Sequence, residues 1–218
     1  MEGLTFLRTL QLFDSQLPVG NFAHSGGIET YAQLGITPSG LAELLANQVG
    51  MGTGRLDLAA AALAWENSED TRELSRLGEE LDAWKIIPSI RQSSKGLGQR
   101  TLAIAGRLFP DKVHGLDIAL PHQAVIVGAL AHRLDIARHL TLLALAQSQI
   151  TAYLAAAMRC MPLSPGRAQE ILSGLQPEII RVVETVLENT EASFFAATPA
   201  MDIRAHQQKS LYTRLFQS

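Results

Sequence analysis

Leucine and alanine recur at spacings of three and four residues through most of this chain, while the alternation typical of a half-buried strand is rare. A spacing of three and four places apolar side chains on one face of an α-helix. The pattern therefore predicts an all-α fold, a bundle of many helices. The 218 residues contain no solenoid repeat, no low-complexity linker and no shift in composition, so we expect a single domain over residues 1–218.

Local start and stop signals divide this pattern into segments. Thr37 and Asp70 are predicted N-caps, and Pro88 is predicted to end or kink the helix that Asp70 begins. Gly96 and Gly98 indicate close packing within the next helix. Helices are expected over about 5–13, 37–50, 56–65, 70–88, 89–108, 123–131, 136–161 and 164–190, with 136–161 at the centre. Residues 192–202 read as a loop, and 203–216 as a short final helix that orders on binding a partner.

Composition excludes several classes of function. Eighteen Lys and Arg residues against 21 Asp and Glu give a net charge of -3 without a basic stripe, so nucleic-acid binding lacks its electrostatic basis. No apolar run approaches the roughly 20 residues that span a bilayer, and the first residues lack a secretion signal. A single cysteine, Cys160, cannot form an intramolecular disulfide. We expect a soluble, cytoplasmic protein that binds neither nucleic acid nor membrane.

Motifs for catalysis are weak. Residues 96–101 lack the third glycine and the preceding strand of a phosphate-binding loop. His24-Ser25-Gly26-Gly27 resembles a nucleophile elbow, but Ala23 stands where the first glycine belongs and no parallel sheet is predicted. A serine-type hydrolase that uses Ser25 and His24 remains an alternative. The simpler interpretation is a loop entering a helix, in which Ser25 satisfies backbone N–H groups and Glu29 favours the positive end of the helix.

The histidines do not form a recognisable metal site. None of the six makes a pair with the spacing that places two ligands on adjacent turns of a helix. His132 and His139 would share a helix face only if Leu134 and Asp135 did not interrupt that helix. We therefore interpret the histidines as solvated or packed side chains and Cys160 as a small buried hydrophobe, with direct metal binding as an alternative.

Four stretches of the chain resemble the UreF family of urease accessory proteins. Residues 10–31 contain Leu17-Pro18-Val19-Gly20-Asn21-Phe22 and Ser25-Gly26-Gly27-Ile28-Glu29, similar to the family's Leu-Pro-x-Gly-x-Phe and Ser-x-Gly-Leu-Glu. Residues 54–57 and 91–98 are similar to weaker internal blocks, and residues 211–218 resemble the terminal Tyr-Ser-Arg-Leu-Phe-x-Ser. The chain departs from the family at Ala23, at Gly26 and at residues 206–209, where the family tends toward Met-Arg-His-Glu.

The resemblance implies a non-catalytic adaptor in nickel-dependent urease maturation rather than an enzyme. Such chains form homodimers, join a UreD/UreH-type accessory protein and recruit the GTPase UreG to the urease apoprotein. Nickel and GTP act through these partners, and the chain has no cofactor of its own. The weakness of the catalytic and metal motifs agrees with this reading. The alternatives are the serine-type hydrolase and a protein that binds nickel directly.

We predict that the two chain ends carry partner recognition. Phe22, Tyr31, Tyr212, Leu215 and Phe216 would be the aromatic and aliphatic anchors, and Arg214 would offer several donors to a carboxylate or to carbonyl groups. In the competing interpretation Phe22 and Tyr31 belong to the core and the tail is frayed. The other residues predicted to bind partners are Pro18, Gly20, His24, Ser25, Gly27 and Glu29.

Overall fold

The computed structural model describes residues 2–20, 25–212 and 215–216. Within these ranges the chain is all-α and contains no strand, which confirms the predicted fold class. The helices are α1 (Glu2–Leu12), α2 (Ile28–Gln33), α3 (Pro38–Met51), α4 (Thr53–Glu66), α5 (Thr71–Trp84), α6 (Pro88–Leu108), α7 (Gln123–Arg133), α8 (Arg138–Cys160), α9 (Pro165–Glu188) and α10 (Pro199–Gln207). Short 3-10 turns occupy Pro110–Lys112, Glu191–Ser193 and Gln208–Ser210.

The predicted helix caps are confirmed. Thr37 Oγ1 accepts a hydrogen bond from the Gly40 N–H at 3.2 Å, and the Asp70 carboxylate accepts from two N–H groups in the first turn of α5. Pro88 plays a different role from the one predicted, because α5 already ends at Trp84 and Pro88 begins α6. Proline suits this first helical position because its missing N–H would have no intrahelical partner there.

The most completely buried helices are α4 and α7. Every residue from Ala124 to Ala131 in α7 is buried, as is the alanine-rich run Ala59–Ala62 in α4. The two backbones come close enough that a Cβ added to Gly128 would lie 2.2 Å from the Ala61 carbonyl oxygen. The sequence placed residues 136–161 at the centre. In the structure α4 and α7 are instead the most completely buried pair, because their small side chains let the two backbones approach closely.

One described helix, α8, is long and apolar enough to cross a membrane by length and composition. It packs against α9, α2, α4 and α7, and 44% of its most apolar stretch of 18 residues is buried inside the protein. Core helices of soluble proteins pass the same test of length and composition. The packing of α8 is therefore consistent with a soluble protein.

A buried histidine links α6 and α7. The His122 side chain is fully buried, its Nδ1 lies 3.0 Å from Ser94 Oγ, and its Nε2 faces Asp82 Oδ1 at 3.4 Å. Burial, helped by the positive charges of Lys85 and Lys95 and opposed by Asp82, lowers the pKa of His122 to about 4. The imidazole is therefore neutral at physiological pH.

This histidine makes stability sensitive to acid. Because the pKa of His122 is lower in the folded chain than in the unfolded chain, the unfolded state takes up the proton first as the pH falls below about 6.5. We expect His122 to remove about 1–2 kcal/mol from the free energy of unfolding between pH 7 and pH 5. In urea unfolding at both pH values, the free energy of unfolding of His122→Asn should fall less between pH 7 and pH 5 than that of the parent. His114 is exposed, so His114→Gln is the control and should lose as much stability between pH 7 and pH 5 as the parent. If His122→Asn also lost as much stability as the parent, this assignment would be contradicted.

Candidate functional site

The N-terminal loop and the C-terminal tail meet against the helical body. Ser25 Oγ donates a hydrogen bond to Gln208 Oε1 at 2.9 Å, and the Gly27 N–H donates to the same oxygen at 3.2 Å. Ser25 is fully buried and Gln208 is 2% exposed. The structure thus joins two motifs that lie more than 180 residues apart in sequence.

Glu29 is the main acceptor for the tail. Its carboxylate is buried in the first turn of α2 and accepts hydrogen bonds from the Leu215 N–H at 2.6 Å and the Phe216 N–H at 3.4 Å. Gln208 Nε2 donates to the same carboxylate at 3.2 Å. We call the residues joined in this way the terminal cluster, namely Ser25, Gly27, Glu29, Gln208, Leu215 and Phe216.

Two glycines let the N-terminal loop enter a narrow slot between α8 and α10. Gly26 and Gly27 have φ values of 57° and 100°, in the left-handed region that favours glycine. A Cβ at Gly26 would lie 2.9 Å from Tyr153 Cε1, and one at Gly27 would lie 3.0 Å from the Ala205 backbone nitrogen. Thr30 Oγ1 also donates to the Arg204 carbonyl oxygen at 2.9 Å, which fastens α2 to α10.

Phe216 of the tail contacts α8. The Phe216 ring is 4% exposed, and the Arg159 guanidinium lies over it at 4.7 Å from the ring centroid. An arginine in this position attracts the face of an aromatic ring. Next to Arg159, burial and the nearby Glu29 carboxylate together raise the pKa of the Cys160 thiol to about 11. The thiol is therefore protonated and donates to the Ala156 carbonyl oxygen.

Large apolar side chains remain exposed on the three elements that meet here. Tyr212 is fully exposed and Leu215 is 60% exposed on the tail, while Leu34 at the end of α2 and Ile203 on α10 are 60% and 55% exposed. Interaction surfaces are marked by contiguous exposed apolar patches, and these four side chains lie on elements that contact one another. The terminal cluster can hold a recognition surface in place without performing chemistry of its own.

The structure gathers five of the predicted residues, Ser25, Gly27, Glu29, Leu215 and Phe216, in this cluster. Tyr31 is half-buried and packs against the core. Pro18 and Gly20 flank Val19, whose carbonyl oxygen accepts a hydrogen bond from Arg100 Nε of α6, so this segment is held by α6 rather than by the tail. Phe22, His24 and Arg214 lie outside the described residues.

Three expectations about this region need correction. Ser25 does not cap α2, because the N-cap is Gly27 without a side-chain cap and the Ser25 hydroxyl bonds to Gln208. Phe216 is buried within its own chain rather than offered as an anchor. The final helix is Pro199–Gln207 instead of 203–216. Leu211 and Tyr212 are not helical, and the Leu215 and Phe216 N–H groups bond to Glu29 instead of to helix carbonyls.

Sequence reasoning missed Gln208, which serves the cluster both as acceptor and as donor. Its Oε1 accepts from Ser25 and Gly27, and its Nε2 donates to Glu29. The only signal in the sequence was its place among residues 206–209, where the chain departs from the family pattern. A polar tail residue cannot be assigned a buried partner without the tertiary structure.

The hydrolase and metal alternatives gain no support from this geometry. Ser25 has no exposed surface for a substrate to reach, and its hydroxyl proton is directed at Gln208 Oε1. His132 stacks on Trp65 and lies 2.5 Å from Ser68 Oγ, while His139 belongs to the next helix. Among the described residues, no three His, Cys, Asp or Glu side chains are grouped as metal ligands would be.

Comparison with known proteins assigns the chain to a family. The model of the UreF family matches residues 37–176. The chain is 30% identical to a urease accessory protein UreF of Haemophilus influenzae strain Rd, over 96% of this chain and 94% of the relative. It is 31% identical to the protein of that name in Actinobacillus pleuropneumoniae serotype 5b (96% and 97% coverage) and 27% identical to that in Nostoc sp. PCC 7120 (98% and 96%). The chain therefore belongs to the UreF family of urease accessory proteins.

Proposed function

We propose that this protein is a non-catalytic adaptor in nickel-dependent urease maturation. It acts as a homodimer in the cytoplasm and bridges a UreD/UreH-type accessory protein, the GTPase UreG and the urease apoprotein. Nickel and GTP act through these partners, and the chain needs no cofactor of its own. Family membership supports the general role, since the relatives are named as urease accessory proteins.

The observation that carries this proposal is the terminal cluster and the apolar side chains around it. Buried hydrogen bonds to Glu29 and Gln208 fix the tail on α2. Because the tail is already ordered in the free protein, it loses less conformational entropy when a partner binds. Tyr212 and Leu215 then stand exposed on a positioned backbone. A rigid scaffold that presents aromatic and aliphatic anchors is suited to binding another protein.

The same arrangement gives the tail a defined role in recognition. Residues 203–207 already form part of α10, and Gln208, Leu215 and Phe216 are bonded to α2 or to the loop before it. We propose that the UreD/UreH-type partner binds over the docked tail and reinforces the order of residues 203–218. Arg214, between the exposed Tyr212 and Leu215, would supply donors to that partner.

The proposal is tested by light scattering coupled to size-exclusion chromatography. The chain is run alone, with a UreD/UreH-type protein, and with that protein together with UreG. We expect the mass of a dimer for the chain alone and complexes of defined stoichiometry in the mixtures. If the chain elutes alone as a monomer in every mixture, the adaptor function is wrong. Ester turnover that depends on Ser25, or stoichiometric nickel binding, would then decide between the two alternatives.

A further inference from the structure

A cleft with several polar side chains in its wall lies beside the N-terminal loop, between α4, α6 and α8. It has a volume of about 100 Å³, enough for several water molecules or one small organic molecule. Apolar surface from residues such as Ile90, Leu97 and Ala152 makes up the larger part of its lining, and the polar side chains that face it include Asp57, Lys85, Ser93, Gln123, Gln149 and Tyr153. Gly26 of the N-terminal loop also lines the cleft, so the cleft adjoins the terminal cluster without including any residue of it.

A buried ion pair forms one wall of the cleft. Lys85 Nζ lies 2.7 Å from Asp57 Oδ1, and the two side chains are only 2% and 16% exposed. Within the described residues Asp57 Oδ1 accepts no hydrogen bond, so the contact is an ion pair that leaves the N–H donors of the ammonium group for other acceptors. The pair is neutral as a whole, with its positive and negative ends side by side. Such a wall disfavours a free ion of either sign, because any ion meets the like charge at close range.

The amide of Gln149 supplies the complementary group. Its Nε2 donates to Asp57 Oδ2 at 3.3 Å, which fixes the orientation of the side chain. Its Oε1 is buried and, within the described part of the chain, accepts no hydrogen bond. A buried acceptor without a donor is costly, so this oxygen favours a molecule that brings an N–H group into the cleft.

We propose that this cleft binds a small neutral molecule carrying a primary amide group. The carbonyl oxygen of the amide accepts from Lys85, and its NH₂ group donates to Gln149 Oε1. A primary amide has both groups on one planar carbon, matches the neutral ion pair in charge, and fits a volume of about 100 Å³. The proposal does not depend on the adaptor function.

Three molecules of nearly identical shape test the proposal. Acetamide is neutral, acetate is an anion and acetamidinium is a cation, and each is titrated into the full chain while backbone amide chemical shifts are recorded. We expect acetamide to produce saturable shifts in residues lining the cleft, with a dissociation constant of about 1–100 mM. Acetate and acetamidinium should bind at least about tenfold more weakly. Stronger binding of either ion, or no saturable shift with any of the three, would overturn the proposal.

Variants at Gln149 separate loss of the site from loss of the fold. Gln149→Leu should weaken acetamide binding at least about tenfold. Gln149→Glu adds a negative charge beside Asp57 and should reverse the preference, so that acetamidinium binds better than acetamide. A misfolded variant cannot produce such a reversal, and its absence in a folded Gln149→Glu chain would contradict the assignment. Gln147→Leu, on the exposed face of the same helix, is the matched control and should bind acetamide like the parent.

A second titration identifies the source of the amide. A blocked tripeptide with a central glutamine presents the same group on a protein-like backbone. If the cleft binds acetamide but excludes the tripeptide, its ligand is a free small molecule. If both bind at the same residues, the amide comes from a side chain of a partner protein, and the proposed amide chemistry stands in either case.

Discussion

Replacing Glu29 by alanine is expected to detach the C-terminal tail from the helical body. The substitution removes a buried carboxylate that accepts from Leu215, Phe216 and Gln208. Hydrogen bonds to a charged acceptor contribute about 1.5–3 kcal/mol each, and water replaces part of this once the tail is free. We expect the free energy of unfolding to fall by about 2–4 kcal/mol, as measured by urea unfolding. The backbone amides of Leu215 and Phe216 should lose their protection against hydrogen exchange.

The detached tail should also abolish partner binding, because Tyr212 and Leu215 lose the backbone that positions them. Glu184→Ala provides the matched control, since Glu184 is exposed on α9 and should change stability by less than about 0.5 kcal/mol. Glu29→Gln, which keeps the size of the side chain and one acceptor oxygen, should give an intermediate result. If Glu29→Ala left both the exchange of the tail and the affinity for the UreD/UreH-type protein unchanged, the terminal cluster would have no role in recognition.

Replacing Gly27 by alanine is expected to displace α10. Gly27 has a φ of 100°, which an alanine adopts only at a cost, and the new Cβ would lie 3.0 Å from the backbone nitrogen of Ala205. The neighbour is backbone rather than a flexible side chain, so relief requires a shift of the whole helix. We expect a loss of about 2–4 kcal/mol in the free energy of unfolding together with weaker partner binding.

A second glycine gives the control for this substitution. Gly174 lies in the middle of α9, is exposed, and has no atom within 4 Å of the position of an added Cβ. Gly174→Ala should therefore raise the free energy of unfolding by about 0.5–1 kcal/mol, the usual gain at a compatible helical site. Opposite signs for the two glycines would confirm the close approach at Gly27. A Gly27→Ala chain as stable as the parent would refute it.

Features governed by neighbours in sequence could be predicted from the residues alone. Thr37 and Asp70 cap their helices as expected, because a cap bonds to N–H groups only two or three residues away. The glycines of α6 mark the limit of such reasoning. At Gly98 an added Cβ would meet the Pro121 carbonyl oxygen at 1.7 Å, whereas at Gly96 it would meet only the Arg100 side chain at 3.4 Å. Which glycine packs closely is decided by a segment more than twenty residues away.

The candidate site required the structure for the same reason. The sequence indicated that both chain ends matter, but no local rule connects Ser25 with Gln208 or Glu29 with the backbone of Leu215. Phe216 shows how tertiary context decides the role of a hydrophobic residue. An aromatic side chain near a terminus serves equally well as an anchor for a partner or as part of the core, and here the Arg159 guanidinium lies over its buried ring.

The central claim is that the joined chain ends present a recognition surface, and the most direct measurement is the affinity of the intact protein for a UreD/UreH-type partner. Titration calorimetry would compare the parent with a Tyr212→Ser, Leu215→Ser double variant. Both side chains are largely exposed, so the variant should fold with unchanged stability. We predict binding at least about 30-fold weaker, equivalent to the loss of one hot spot of about 2 kcal/mol. Equal affinity for the two proteins would contradict the account.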